Sequence, residues 1–188
     1  MKKIPDNAKK VFEGIIFDVY HWEQEMFDGT TSTFEAIKRK DSVTVIAVVG
    51  DKIIVNNEEQ PGKAPFMALP GGICDTGSTP LEDAKRELLE ETGYISDNWQ
   101  AWFVSDPLQY AKVDWNNNFF IAKNCKKVAE QKLDSGEKIE TKLLSLDEFI
   151  DFRHNPKSRN KDIFQILEKV SESEEEKQKL KTLLGISP

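Results

Sequence analysis

Asp83, Glu87, Glu90 and Glu91 fall at offsets i, i+4, i+7 and i+8 within the stretch "GGICDTGSTPLEDAKRELLEETGY", Gly71 to Tyr94. On a helix, these offsets gather the carboxylates on one flank of about two turns. Like charges so placed cost about 0.2–0.5 kcal/mol per pair, and Glu90 and Glu91 also sit beside the negative end of the helix dipole. Arg86 can reach Glu82 and Glu90 at i−4 and i+4, which leaves Glu87 and Glu91 without an obvious local partner. A hard divalent cation would satisfy them, because Mg²⁺ and Mn²⁺ select carboxylate and carbonyl oxygens. Gly71-Gly72 would let backbone carbonyls approach the same cation. The alternative is a solvated acidic face with no metal.

The helix that must carry these residues is bounded on both sides. Thr79 can cap it, Pro80 suits its first position, Glu82 completes a capping box, and Gly93 supplies the left-handed stop. Leu81, Ala84 and Leu88 form an i, i+3, i+7 stripe that can pack on a sheet. Ahead of it, "GIIFDVY" (14–20) and "STFEAIKR" (32–39) read as an antiparallel pair joined through the turn "FDGT". "VTVIAVV" (43–49) and residues 52–55 read as two strands closed by Gly50-Asp51, the first apolar enough for burial on both faces. A short strand is expected at 66–69 in a Pro- and Gly-rich loop. Beyond the helix, "WQAWFVS", "NFFIAKNC" and "EKIETKLLS" read as strands, and "SLDEFIDFRH" as a helix opened by Ser145 and Glu148. Helical spacing resumes over about 161–184, where "SESEEEKQKLK" reads as a solvated face. The pattern is α/β: one domain over 1–188, with a mixed sheet, helices on its faces, a β extension over 1–40 and a helical segment over 160–188.

With 188 residues, of which 38% are hydrophobic, one domain can bury a core without staples. A formal net charge of −7 argues against a sequence-independent grip on nucleic acid or an anionic membrane. No apolar run approaches the roughly 20 residues needed to span a bilayer as helix. No apolar segment follows "MKKIPDNAKK", so a cytoplasmic location is the expectation. Cys74 and Cys125 lack metal or disulfide spacing and read as reduced thiols.

The spacing in the acidic stretch resembles the Nudix box, G-x5-E-x7-R-E-U-x-E-E-x-G-U with U a bulky apolar residue. Gly72 and the run Arg86 to Tyr94 stand at the expected offsets. Ser78 stands where that pattern has its first Glu, and Tyr94 replaces an aliphatic residue. The resemblance implies a Nudix-type α/β/α sandwich. It further implies metal ligation by Glu87, Glu90, Glu91 and the Gly71 carbonyl, with Arg86 orienting the glutamates. The first box Glu supports loop and helix, often through the Arg, and Asp75 could partly replace its charge. Restoring Glu at position 78 is expected to leave activity equal or higher.

The implied chemistry is Mg²⁺-dependent hydrolysis of a nucleoside diphosphate linked to another moiety, with Mn²⁺ a possible substitute. A further base often comes from a late loop; here "EQKLDSGEKIET" offers Glu137, preferred, and Glu140. Arg39 in "AIKRKDSV", "EEQPG", Pro107 and "LDSGEKIE" resemble the ADP-ribose pyrophosphatase branch, over most of the chain to about Phe152. That branch implies a homodimer formed through N-terminal strands. Trp22, Tyr20, Phe27 and Trp115 are candidate stacking surfaces, and Arg39 and Lys63 candidate cationic contacts. Either Trp could equally serve a subunit interface. Alternatives are hydrolysis of nucleoside triphosphates or dinucleoside polyphosphates, and a non-catalytic nucleotide-sensing module.

Overall fold

A computed structural model describes residues 3–106 and 112–186, and Pro107 lies outside them. In chain order the elements are β1 (Lys9–Glu13), β2 (Phe17–Glu25), β3 (Thr31–Arg39), β4 (Ser42–Val49), β5 (Lys52–Glu59), β6 (Phe66–Ala68), β7 (Gly71–Ile73) and α1 (Pro80–Thr92). There follow β8 (Tyr94–Ile95), β9 (Asn98–Ser105), β10 (Val113–Asp114), β11 (Asn117–Lys123), β12 (Lys126–Lys127), β13 (Lys138–Leu144), α2 (Leu146–Asp151), α3 (Phe164–Glu172) and α4 (Glu174–Leu184).

The central sheet runs β13-β5-β4-β11-β9, with β6 added to β5 and β7 to β4. β4 and β11 are parallel and the other pairs antiparallel, so the sheet is mixed. Side-chain alternation along β4 feeds two cores. Val43, Val45 and Ala47 pack with Ala84 and Leu88 of α1, while Ile46 and Val48 pack with Phe149 of α2, Leu167 of α3 and Leu184 of α4. This period-2 alternation between two covered faces explains why "VTVIAVV" is continuously apolar. Each large aliphatic residue so buried contributes about 1.5–3 kcal/mol.

β4 and β5 pair only beside their hairpin, at Val48↔Ile53 and Val49↔Lys52. Beyond those positions β4 continues with β7 and β11, and β5 with β6 and β13. The sheet therefore splits, and the last turn of α1 reaches into the split through Glu91, which is hydrogen-bonded to both sides.

The N-terminal extension is a separate sheet ordered β1-β2-β3-β10. β2 starts at Phe17 rather than Gly14 and runs on through "HWEQE" to Glu25. β1 carried no sequence signal, because all five of its residues are exposed and show no alternation. The helical segment expected over about 161–184 divides at Ser173, whose extended backbone (φ −143°, ψ 119°) and side chain cap α4. Leu180 and Leu184 of α4 are buried, and Glu176 and Lys177, one turn before Leu180, are half-buried, so the charged run is not wholly solvated. No helix among the described residues is long and apolar enough to cross a membrane.

Leu88 is fully buried between α1 and the sheet. Leu88→Ala should destabilise the fold by about 2–5 kcal/mol in urea denaturation, through lost transfer energy and the cavity left behind.

Candidate active site

The box loop and α1 owe their geometry to local chemistry. Thr79 Oγ1 accepts the Glu82 N–H while Glu82 accepts the Thr79 N–H, and Gly93 closes the helix at φ 75° with its N–H on the Leu89 carbonyl. A Cβ on Gly93 would lie 2.0 Å from the Ala129 carbonyl oxygen, so no side chain fits there. The last carbonyls of α1, unsatisfied within the helix, are taken up by the following loop. Lys132 N–H donates to Glu90 O, Gln131 Nε2 to Glu91 O, and the Val128 and Ala129 N–H groups to Gly93 O. These bonds tie the segment leading to Glu137 directly to the acidic helix.

A cavity of about 480 Å³ opens against this end of the helix. Its walls include Glu87, Glu90, Glu91, Arg86, Gly71, Gly72, Glu137, Arg39 and Lys63. Seven carboxylates and four cationic side chains line it in all, an excess of negative charge within the protein. A larger adjoining cleft, about 580 Å³, takes Glu140 and Lys138 and none of the box glutamates. Glu140 is exposed and accepts from Asn57, which separates it from Glu137.

Trp115 stands at the neighbouring mouth, half-buried, with the Arg39 guanidinium 4.5 Å from its ring centroid and its own Nε1 donating to Ser42 Oγ. Trp22 is not part of this cavity: it lies on β2, edge-on to Phe34 with centroids 5.9 Å apart. Tyr20 lines a small cleft beside Lys38 and Asp114, and Phe27 is fully exposed. Within one chain, then, Arg39, Lys63 and Trp115 are gathered near the box and Trp22, Tyr20 and Phe27 are not.

The acidic flank is not a solvated face. Asp83 and Glu91 are 1% and 5% exposed. Glu91 Oε2 accepts from Asn56 Nδ2 at 3.0 Å and from Gly71 N–H at 3.1 Å. Burial, followed by the Glu58 charge, pushes its carboxyl well above the usual range. Glu87, also raised chiefly by burial, to about 7, lies against Gly72, where any Cβ would come within 2.1 Å of its Oε1. Arg86 does not reach Glu82, which is held by Thr79. It pairs with Glu87 and Glu90 at 2.9 Å each, so Glu87 has the local partner that sequence spacing denied it.

Ser78 has a defined role in this network. Its hydroxyl donates to Asp83 Oδ2 at 2.6 Å, and Asp83 Oδ1 receives the Asp75 N–H and faces Arg86 Nη2 at 3.4 Å. Burial alone would lift the Asp83 carboxyl, but the Ser78, Asp75 and Arg86 contacts hold it below its ordinary value. Asp75 Oδ2 adds an ion pair to Arg86 Nε at 3.3 Å, without the alignment of a hydrogen bond. Asp83 and Asp75 thus bring to Arg86 the negative charge that the box pattern expects from position 78.

A family model for the NUDIX domain matches residues 38–168. The chain belongs to the Nudix family. Hydrolases of this family generally use divalent cations and act on small nucleotide substrates. The N-terminal sheet before Lys38 and helix α4 lie outside the Nudix match. The chain is 29% identical over 148 residues to a methanol dehydrogenase activator of Bacillus methanolicus, covering 77% of this chain and 80% of that protein. It is 28% identical over 146 residues to the ADP-ribose pyrophosphatase of Bacillus subtilis, covering 74% and 77%. A solved ADP compounds hydrolase superposes with a TM-score of 0.70 over 92% of this chain and 96% of that one, at 20% identity, and so shares the fold.

The Nudix cation requirement fits the donors present. They are oxygen atoms, several are buried, and the carboxylates outnumber the cations around them, as a hard divalent ion demands. Among the described residues no three acidic, His or Cys side chains already converge on one point. Arg86 draws Glu87 and Glu90 toward itself, while Glu91 turns to Asn56 and Gly71. Sequence reasoning missed Asn56, the positioning role of Asp83, and buried Glu58, which "NNEE" presents as the polar end of a strand.

Two outcomes test the electrostatics. Ser78→Glu would set a second carboxylate against buried Asp83; it should cost about 1–3 kcal/mol in urea melts, largely regained in Ser78→Glu/Asp83→Ser. Glu58 and Glu87 are both raised from 4.5 to about 7, each by burial first. They ionise more readily in the unfolded chain, so the protein in EDTA should lose thermal stability from about pH 5 to about pH 8, and Glu87→Gln should shrink that loss.

Proposed function

We propose that this Nudix hydrolase is a Mg²⁺-dependent pyrophosphohydrolase, with Mn²⁺ as substitute, that cleaves the diphosphate of ADP-ribose or a related nucleoside diphosphate sugar. Water adds to one phosphorus, and the bridging P–O bond breaks to give AMP, or another nucleoside monophosphate, and a sugar phosphate. The observation that carries the reading is one cavity holding Glu87, Glu90, Glu91 and Glu137 together with Arg39 and Lys63. The names of the two similar enzymes support the substrate class.

In this reading Glu87, Glu90, Glu91 and the Gly71 carbonyl hold the cation. When bound, it supplies neutralisation of the diphosphate charge and acidification of water. Arg86 orients the glutamates through its paired contacts. Glu137 accepts the proton from the attacking water; it is half-buried on the cavity wall and carried by a loop anchored to the C-terminal end of α1. Arg39 and Lys63 bring positive charge to the diphosphate, and the Trp115 ring with Arg39 across it offers a stacking platform for the base. Trp22, too far round to serve the cavity of its own chain, fits a role at a subunit interface.

The chain acts as a single domain over 1–188, as a cytoplasmic homodimer, on a small nucleotide and without a nucleic-acid or membrane partner. Support for the dimer comes from the N-terminal sheet, which leaves Val11, Phe12, Ile16 and Phe17 about half exposed on β1, β2 and the turn between them. Such a cluster of apolar side chains suits a partner surface.

Purified protein with Mg²⁺ should release AMP from ADP-ribose, and Glu137→Gln should lower kcat by about 10²–10⁴-fold with the fold intact. Cleavage of triphosphates or dinucleoside polyphosphates instead would move the substrate class. No cleavage across a nucleotide panel, with ligand-induced thermal shifts, would favour a sensing module.

A further inference from the structure

Glu58 on β5 is 7% exposed as a residue, its carboxylate opens onto the cavity, and no hydrogen bond or ion pair reaches it among the described residues. Its direction follows from its strand. Asn56 and Glu58 are two residues apart and so project from the same side of β5, about 7 Å apart along it. Asn56 donates to Glu91 Oε2, which fixes that side as the one facing the acidic helix. Glu58 accordingly lies on the wall of the cavity that holds Glu87, Glu91 and Glu137.

Two cations of the chain, Arg159 and Lys63, act on it through space without forming an ion pair with it. The Arg159 guanidinium lies 3.4 Å from the centroid of the Phe66 ring, and the Lys63 ammonium donates to Gln60. Partial burial of a carboxylate without an ion-pair partner is unfavourable, and placing it beside other carboxylates adds repulsion. A residue of Gln's shape at position 58 would avoid both penalties. A cation bound in the cavity would supply the ion-pair partner that the chain does not give this side chain.

We infer that Glu58 is a further direct ligand of the divalent cation, reaching it from β5 across the cavity from the box glutamates of α1. The inference rests on the metal-dependent reading above and adds to it a ligand from a different element of the fold. Cation binding would then join the β5 half of the split sheet to α1, through a hard oxygen donor of the type that Mg²⁺ and Mn²⁺ prefer.

The test is Mn²⁺ binding to the full-length chain, followed by the electron paramagnetic resonance signal of free Mn²⁺, with melting temperatures in EDTA alongside. Glu58→Gln keeps the shape and removes the charge, while Glu58→Asp keeps the charge and withdraws it by one methylene. A direct ligand predicts Mn²⁺ affinity at least about tenfold weaker in both variants, with Glu58→Gln melting at or above the wild-type temperature in EDTA. Wild-type affinity in Glu58→Asp, with weakening only in Glu58→Gln, would overturn direct ligation in favour of action through space. Wild-type affinity in both variants would overturn the inference and leave the metal-dependent reading standing. A wild-type protein that takes up no Mn²⁺ would overturn both.

Discussion

Glu91 Oε2 receives the Asn56 side chain from β5 and the Gly71 N–H from β7, at 3.0 and 3.1 Å. Those two strands belong to the diverging halves of the central sheet, which share a ladder only at the β4–β5 hairpin. The carboxylate therefore bridges the split at the place where backbone pairing has ceased. It is buried, so its hydrogen bonds are hard to replace with water, and removing either donor would leave an acceptor unsatisfied in a low-dielectric interior. The site opens beside this bridge, which joins α1 to both halves of the sheet at the cavity wall.

Electrostatic tension is built into the same few residues. Packing Glu58, Glu87 and Glu91 near one another lifts their carboxyl groups above the ordinary range, principally because burial penalises the ionised form. Arg86 offsets part of this charge, and Glu87, Glu90 and Asp75 keep it protonated despite its own burial. What remains is a pocket whose own side chains do not neutralise it, which is the condition for recruiting a cation rather than merely tolerating one. The Ser78–Asp83–Arg86 arrangement shows how such a network absorbs a changed residue. The charge has moved from the loop to a buried position on the helix, five residues along the chain, and still meets the same guanidinium.

The extension and the core solve different problems. The core buries apolar residues on both faces of β4 and uses α1 on one side and α2 to α4 on the other. The N-terminal sheet keeps exposed apolar side chains and meets the core side of the molecule through β10, whose Val113 and Asp114 pair in parallel with Ile37 and Lys38 at the end of β3. Arg39 follows directly, so the same sheet that presents an apolar surface also delivers a cation to the cavity.

Much of this was legible in order along the chain. Helix α1 and its caps were readable because Thr79, Pro80, Glu82 and Gly93 act through bonds only a few residues long, and the box glutamates were readable because their spacing is local as well. The apolar run at Val43–Val49 announced a strand covered on both sides for the same reason, since pattern and period are properties of a single segment. The split between β4 and β5, the burial of Asp83 and Glu91, the contact of Asn56 with a helix 35 residues away, and the exclusion of Trp22 from its own chain's cavity depend on which segments become neighbours. Sequence spacing could assign Arg86 a partner at i+4, but only the folded loop could bring Asp75 to it and leave Glu82 to the cap. Glu58 marks the boundary most clearly: the chain shows a polar strand end, and it takes the packing of β5 between β6 and β13 to turn that end into a buried charge facing the box.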